Sequence, residues 1–171
     1  MSLMEKIETK VKTQPRRVMV YGPQGVGKST FALGAEAPIT IQTEDGLGSL
    51  EGARFPLAQK FSDVIAALGE LYTQKHAFKT VVIDSADWLE RLIWAEVCRE
   101  KGVESIEDIG FAKGYIFSIK HWQQGLAGLN ALRNEWQQVS PEKPEFVLPR
   151  IAFKMATGTG KTVVMAMQLL Y

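Results

Sequence analysis

Short apolar runs alternating with amphipathic stretches predict an α/β fold built on a parallel sheet. The run Val18-Met-Val-Tyr21 feeds a glycine-rich turn, and Thr80-Val-Val-Ile-Asp84 has helical patterns on both sides. Both regions repeat the order strand, turn, helix. With 171 residues, 46% of them hydrophobic, the chain has one-domain size and material for a real core.

A polar arm over 1–16 holds Glu5, Lys6, Glu8, Lys10, Lys12 and Arg16. Its cations Lys6, Lys10, Lys12 and Arg16, with Arg17, are able to track phosphates, but in this setting they read as a solvated tail. Val18 to Tyr21 is short and β-prone and predicts a buried strand. Ser29 to Ala37 reads as a helix closed by Pro38, and Ile39 to Gln42 as a second strand running into Thr43-Glu44-Asp45-Gly46. Gly46, Gly48, Gly52 and Pro56 break any regular element, so 45–60 reads as loop. Ser62 then caps a helix with Val64, Ile65, Leu68, Leu71 and Tyr72 on its core face.

Thr80 to Asp84 is the third buried strand, and the helix from Asp87 to Glu100 turns Trp88, Leu89, Leu92, Ile93 and Val97 inward. A loop over 102–114 leads to a long helix from Tyr115, whose stripe is Ile119, Trp122, Leu126, Leu129, Leu132 and Trp136. That spacing marks a core or docking face. Pro141, Pro144 and Pro149 make 137–149 a linker. Beyond it, 150–171 reads as a strand (Ile151 to Met155), a second glycine loop and the start of a helix from Lys161.

The net charge of +1 argues against a broad nucleic-acid-coating surface. A single cysteine, Cys98, within an apolar helical pattern excludes an internal disulfide and a cysteine-rich metal site. A reducing, cytoplasmic setting is expected. No signal-peptide core and no run of eighteen apolar residues appears, so neither secretion nor a membrane partner is expected.

The chemistry concentrates in Gly22-Pro23-Gln24-Gly25-Val26-Gly27-Lys28-Ser29-Thr30. In such a loop, glycines turn consecutive N–H groups inward to cradle phosphate at the start of a helix. The lysine reaches the outer phosphates and the Ser hydroxyl ligates magnesium. Chance supplies the strict pattern in roughly one sequence in a few hundred of this length. It therefore implies a nucleotide site binding ATP and Mg2+. Asp84 ends an apolar strand, the position from which a carboxylate holds the magnesium shell. Glu44 follows a strand whose carboxyl end points to the same crevice, where it can activate water. Ser85 either assists there or caps the next helix.

These blocks resemble the RecA-like recombinase ATPases, in which a glycine loop, a glutamate after the next strand and a strand-terminal aspartate occur in this order. Tyr21 to Ala32, Thr43 to Gly46, Phe78 to Trp88 and Ile106 to Tyr115 look more closely like the phage-type nucleotide-binding proteins of the AAA/RecA-like class, some of them single-strand DNA annealing ATPases. The resemblance implies a three-layer P-loop sandwich with a central, mostly parallel sheet over 17–136. It also implies Glu44 and Lys28 as catalytic groups, Ser29 and Asp84 as metal holders, and single-stranded DNA and further copies of the chain as partners, in a bacterial or phage-infected cell. Lys113 and Lys120 are the cations available to such partners, although their setting reads as solvated surface.

That family continues into a fourth strand ending in a polar sensor. After Asn134-Glu135-Trp136 no such strand follows, so the core reads as truncated at its C-terminal side, with impaired hydrolysis and intact nucleotide binding. Arg150 to Met167, with Gly158-Thr159-Gly160-Lys161-Thr162, instead resembles the first helicase motif of superfamily 2 motors, nearest the motor subunits of type III restriction enzymes. Loss of the fourth strand would leave an exposed sheet edge, and Ile151 to Met155 has the length and apolarity to take the vacated place. Lys161 would then lack a magnesium carboxylate. Two alternatives stay open: a non-hydrolysing nucleotide-binding or assembly module, and a small-molecule P-loop kinase, for which no arginine-rich lid segment appears.

Overall fold

The computed structural model describes Met4, Ile7, residues 17–139 and residues 150–155, with side chains through residue 135. The polar arm, most of the linker and the second glycine loop at 158–162 lie outside the described residues. Five strands, β1 (Arg17–Tyr21), β2 (Pro38–Gln42), β3 (Ala53–Arg54), β4 (Thr80–Asp84) and β5 (Arg150–Met155), form one sheet in the order β1-β5-β4-β2-β3. Every described pair is parallel. The helices are α1 (Lys28–Leu33), α2 (Phe61–Thr73), α3 (Ala86–Lys101) and α4 (Lys113–Val139), with a 3-10 turn at Ile106–Asp108.

Period-two alternation sorts the two sheet faces. Ile39, Ile41, Val81 and Ile83 point into the main core, where Phe61, Val64, Leu68 and Leu71 of α2, Leu89 and Ile93 of α3, and Trp122, Leu129 and Leu132 of α4 meet them. Val82 points the other way and packs against Ala32 of α1. Asp84, two residues after Val82, falls on that same α1 face at the carboxyl end of its strand. The fold is thus an α/β sandwich with helices on both sides of a parallel sheet.

Several elements depart from the sequence pattern, each for a local reason. Residues 53–54 form a short strand where loop is expected, because the extended chain there is tied to β2: Phe55 N–H donates to Thr40 O at 2.8 Å and Ala58 N–H to Gln42 O at 2.9 Å. Helix α1 stops at Leu33, and Pro38 opens β2 instead of closing a helix. Ser62 lies inside α2, whose start is capped by Asp63: its carboxylate accepts from the backbone N–H of Gln59 at 2.8 Å and of Lys60 at 3.0 Å. Tyr72 is half exposed at the far end of that helix.

On α3 the buried stripe is rotated from the one its apolar residues suggest. Ala86, Leu89, Glu90, Ile93 and Val97 are buried, while Trp88 is 41% exposed with the Arg91 guanidinium 4.5 Å above its ring. Strand β1 sits at a sheet border and is only half-buried along its middle, not buried throughout. The place filled by β5 is interior, between β1 and β4, and not at an edge: Met19 aligns with Phe153, and Phe153 with Ile83.

Candidate functional site

The loop after β1 turns through left-handed backbone at Gly25 (φ +81°) and Gly27 (φ +90°), where a Cβ would be strained although the space around it is open. Residues 23–27 lie exposed on the surface, so their backbone is accessible to a ligand. Lys28 is the opposite, only 5% exposed. Its ammonium folds back over the loop and donates to Gly22 O at 2.6 Å and Pro23 O at 2.7 Å. The charge is thereby held at the loop it would serve, with bonds that phosphate oxygens can replace. Thr30, on the exposed side of α1, accepts through its carbonyl from Gly34 N–H at 3.0 Å.

Ser29 is the link to the rest of the site. Its hydroxyl donates to the Asp84 carboxylate at 2.9 Å, joining residues 55 positions apart across the width of β5. Asp84 is 1% exposed, and α1 lies over the face on which it sits. A hydroxyl and a carboxylate in contact, next to a glycine loop and its lysine, form a donor set suited to a hard cation with oxygen ligands. Glu44 stands half-buried at the end of β2, and its backbone N–H donates to Asp84 O at 3.4 Å. Thr43 N–H donates to the same carbonyl at 2.8 Å. Lys28, Ser29, Asp84 and Glu44 therefore gather at the carboxyl ends of β1, β4 and β2.

Ser85 occupies the N-cap position of α3 without a side-chain capping bond. Its hydroxyl is fully buried and has no hydrogen-bond partner among the described residues. Lys113 and Lys120 lie on the exposed side of the early turns of α4, Lys113 with its ammonium 5.9 Å from the Phe111 ring centroid. Neither makes a described contact with the loop. Gly158, Thr159, Gly160, Lys161 and Thr162 are outside the described residues.

Two buried acidic residues on α3 escape a reading of motifs alone. Asp87 and Glu90, one turn apart on α3, are 6% and 3% exposed. Burial, and then the neighbouring Asp87 charge, push the Glu90 carboxyl up to about 7. The available signal is Glu90's own position, four residues after Ala86 and three before Ile93, within the apolar stripe.

A family model described as an AAA domain matches residues 14–147, a span covering β1 to α4 and ending before β5. No curated protein matches the chain. Among the described residues, no helix is long and apolar enough to cross a membrane. With the match spanning most of the chain and the glycine loop set against a strand-terminal aspartate, the chain belongs to the AAA domain family of P-loop ATPases.

Proposed function

We propose that this chain binds ATP with Mg2+ at residues 22–30 and hydrolyses it slowly, in the service of single-strand DNA annealing or recombination of the phage type. The observation that carries the nucleotide part is the 2.9 Å bond from Ser29 to Asp84, which pairs the two side chains that would hold magnesium. Gly22, Pro23, Gln24, Gly25, Val26, Gly27 and Thr30 would line the phosphates, and Lys28 would exchange its carbonyl partners for phosphate oxygens. Magnesium, when bound, supplies charge neutralisation for the phosphoryl oxygens. Glu44, held by backbone bonds beside Asp84, would take the proton of the attacking water.

The DNA part rests on the resemblance of the four sequence blocks to phage annealing ATPases, and assembly of several copies belongs to the same reading. A bacterial or phage-infected cytoplasm is the corresponding setting. The segment 150–171 is proposed as a strand, loop and helix of superfamily 2 helicase type, with its second glycine loop outside the working site. A second reading, a nucleotide-binding assembly module without turnover, is favoured because β5, beside β4, ends in Lys154-Met155 and carries neither the His nor the Gln common at the sensor position of the resembled family.

Titration of a fluorescent ATP analogue, followed by phosphate release with and without single-stranded DNA, separates these readings. Binding with turnover raised by DNA is expected. Binding without any turnover would establish the assembly module, and absence of binding would refute both.

A further inference from the structure

We infer that Thr43 is a positioning residue for hydrolysis, acting through a hydrogen bond from its hydroxyl to the Ser85 carbonyl that holds Glu44 against the Asp84 side of the site. The inference rests on the proposed ATPase activity and on Glu44 as the group that takes the proton from water.

The β2–β4 ladder ends at the pair Gln42 and Asp84. Beyond it the chains part, one into the Thr43-Glu44-Asp45-Gly46 turn and the other into α3. A glutamate on such a turn has no ladder to fix it. Past the ladder's end the contact continues through bonds that include these three. Thr43 N–H donates to Asp84 O at 2.8 Å, Glu44 N–H to the same oxygen at 3.4 Å, and Thr43 Oγ1 to Ser85 O at 2.6 Å. The first two share one acceptor, and the second of these is long. The hydroxyl bond is the short one, spans 42 residues of sequence, and is buried. It is also the only one of the three that a side-chain change can remove.

The acceptor has a second tie, since Leu89 N–H donates to Ser85 O at 3.0 Å in the first turn of α3. Replacing threonine by valine therefore keeps shape and burial, leaves no carbonyl unpaired, and frees only the turn that bears Glu44. Loosening of this kind lowers the rate of a step that depends on a held water more than it lowers binding, because loop and lysine contacts to nucleotide are untouched.

The test compares wild type, Thr43→Val, Thr43→Ser and Glu44→Gln in ATP turnover and ATP-analogue binding. Thr40→Val serves as control, because Thr40 is a buried β2 threonine whose hydroxyl has no partner among the described residues. Thr43→Val is expected to lower kcat roughly 10- to 100-fold, with Kd changed by less than about twofold. Thr43→Ser, which keeps the donor, restores most of kcat, and Thr40→Val behaves as wild type. If Thr43→Val melts too early to assay, Thr43→Cys, similar in size with a weak donor, takes its place and should fall between valine and serine. Unchanged kcat in Thr43→Val, or equal loss in the serine variant, overturns the inference while leaving the ATPase reading intact. Absence of turnover in the wild type overturns both.

Discussion

Glu90 gives a pH dependence whose sign and size follow from where it sits. Its carboxyl is pushed from an ordinary 4.5 up to about 7, first by burial and then by Asp87. Between those two values the folded chain holds a proton that the unfolded chain has released, so stability falls as pH rises through that window and is lowest above about 7. A shift from 4.5 to about 7 corresponds, at about 1.36 kcal/mol per pH unit, to a ceiling of ~3 kcal/mol. Relaxation and water around the carboxylate reduce this to about 1 to 2 kcal/mol. Glu90→Gln has nearly the same shape and cannot ionise. Any cost of the amide itself is the same at every pH, so it cancels when the variant's gain is compared between two pH values. Urea unfolding followed by tryptophan fluorescence, at pH 5 and pH 8.5, should show wild type losing stability at the higher pH relative to Glu90→Gln by about 1 to 2 kcal/mol. Parallel losses in the two proteins would refute the argument and place the buried carboxyl's proton equilibrium elsewhere.

Lys28→Ala should weaken binding of a fluorescent ATP analogue by about 10- to 100-fold through loss of charge-assisted bonds, whereas Lys161→Ala should change it less than about twofold. Equal losses would contradict assignment of the site to the first loop. Gly69 lies within α2 with nothing within 4 Å of an added Cβ, so Gly69→Ala should stabilise by about 0.5–1 kcal/mol in thermal melts. Gly114→Ala, also helical, should instead destabilise by about 1–3 kcal/mol, because its Cβ would lie 2.5 Å from the backbone oxygen of Ile106. Stabilisation by both glycine variants would show that helix propensity and not packing governs these positions.

What the sequence shows, and what it hides, divides by the range of the interaction. Strand β4 can be read to the residue, because five consecutive residues are all buried and its final aspartate marks the crevice end. Ser29 and Asp84 are legible as partners through the chemistry of the loop. The two-residue strand β3 is not, since Ala53 and Arg54 carry no periodic signal and are held by main-chain bonds to β2. Trp88 misleads for a related reason: its large apolar ring suggests the core, but its surface position is covered by Arg91. Thr43 is the hardest case. In Thr-Glu-Asp-Gly a threonine reads as turn chemistry, and only the fold reveals an acceptor that is a backbone carbonyl 42 residues away.

The last consequence concerns β5, which lies beyond the stretch matched by the family, residues 14–147. Read from that match alone, a chain ending at residue 149 should be a sufficient nucleotide-binding unit. The sheet order argues otherwise. Among the described strands β1 pairs only with β5, and β5 with β4, so the strand that presents the glycine loop is hydrogen-bonded to the strand that presents Asp84 only through residues 150–155. Removing β5 would open a gap of about two strand spacings, ~9.6 Å, between β1 and β4. The loop would then be held to the Asp84 side only through α1, by the Ser29–Asp84 bond and the packing of Ala32 on Val82. The core made by α2, α3 and α4 against β2 and β4 draws little on β1 and should persist. Truncation after residue 149 should therefore keep most of the helical circular dichroism, lower ATP-analogue affinity at least about tenfold, and raise amide exchange at Val18 to Val20. Unchanged affinity and protection in the truncated chain would show that β1 holds its place without β5.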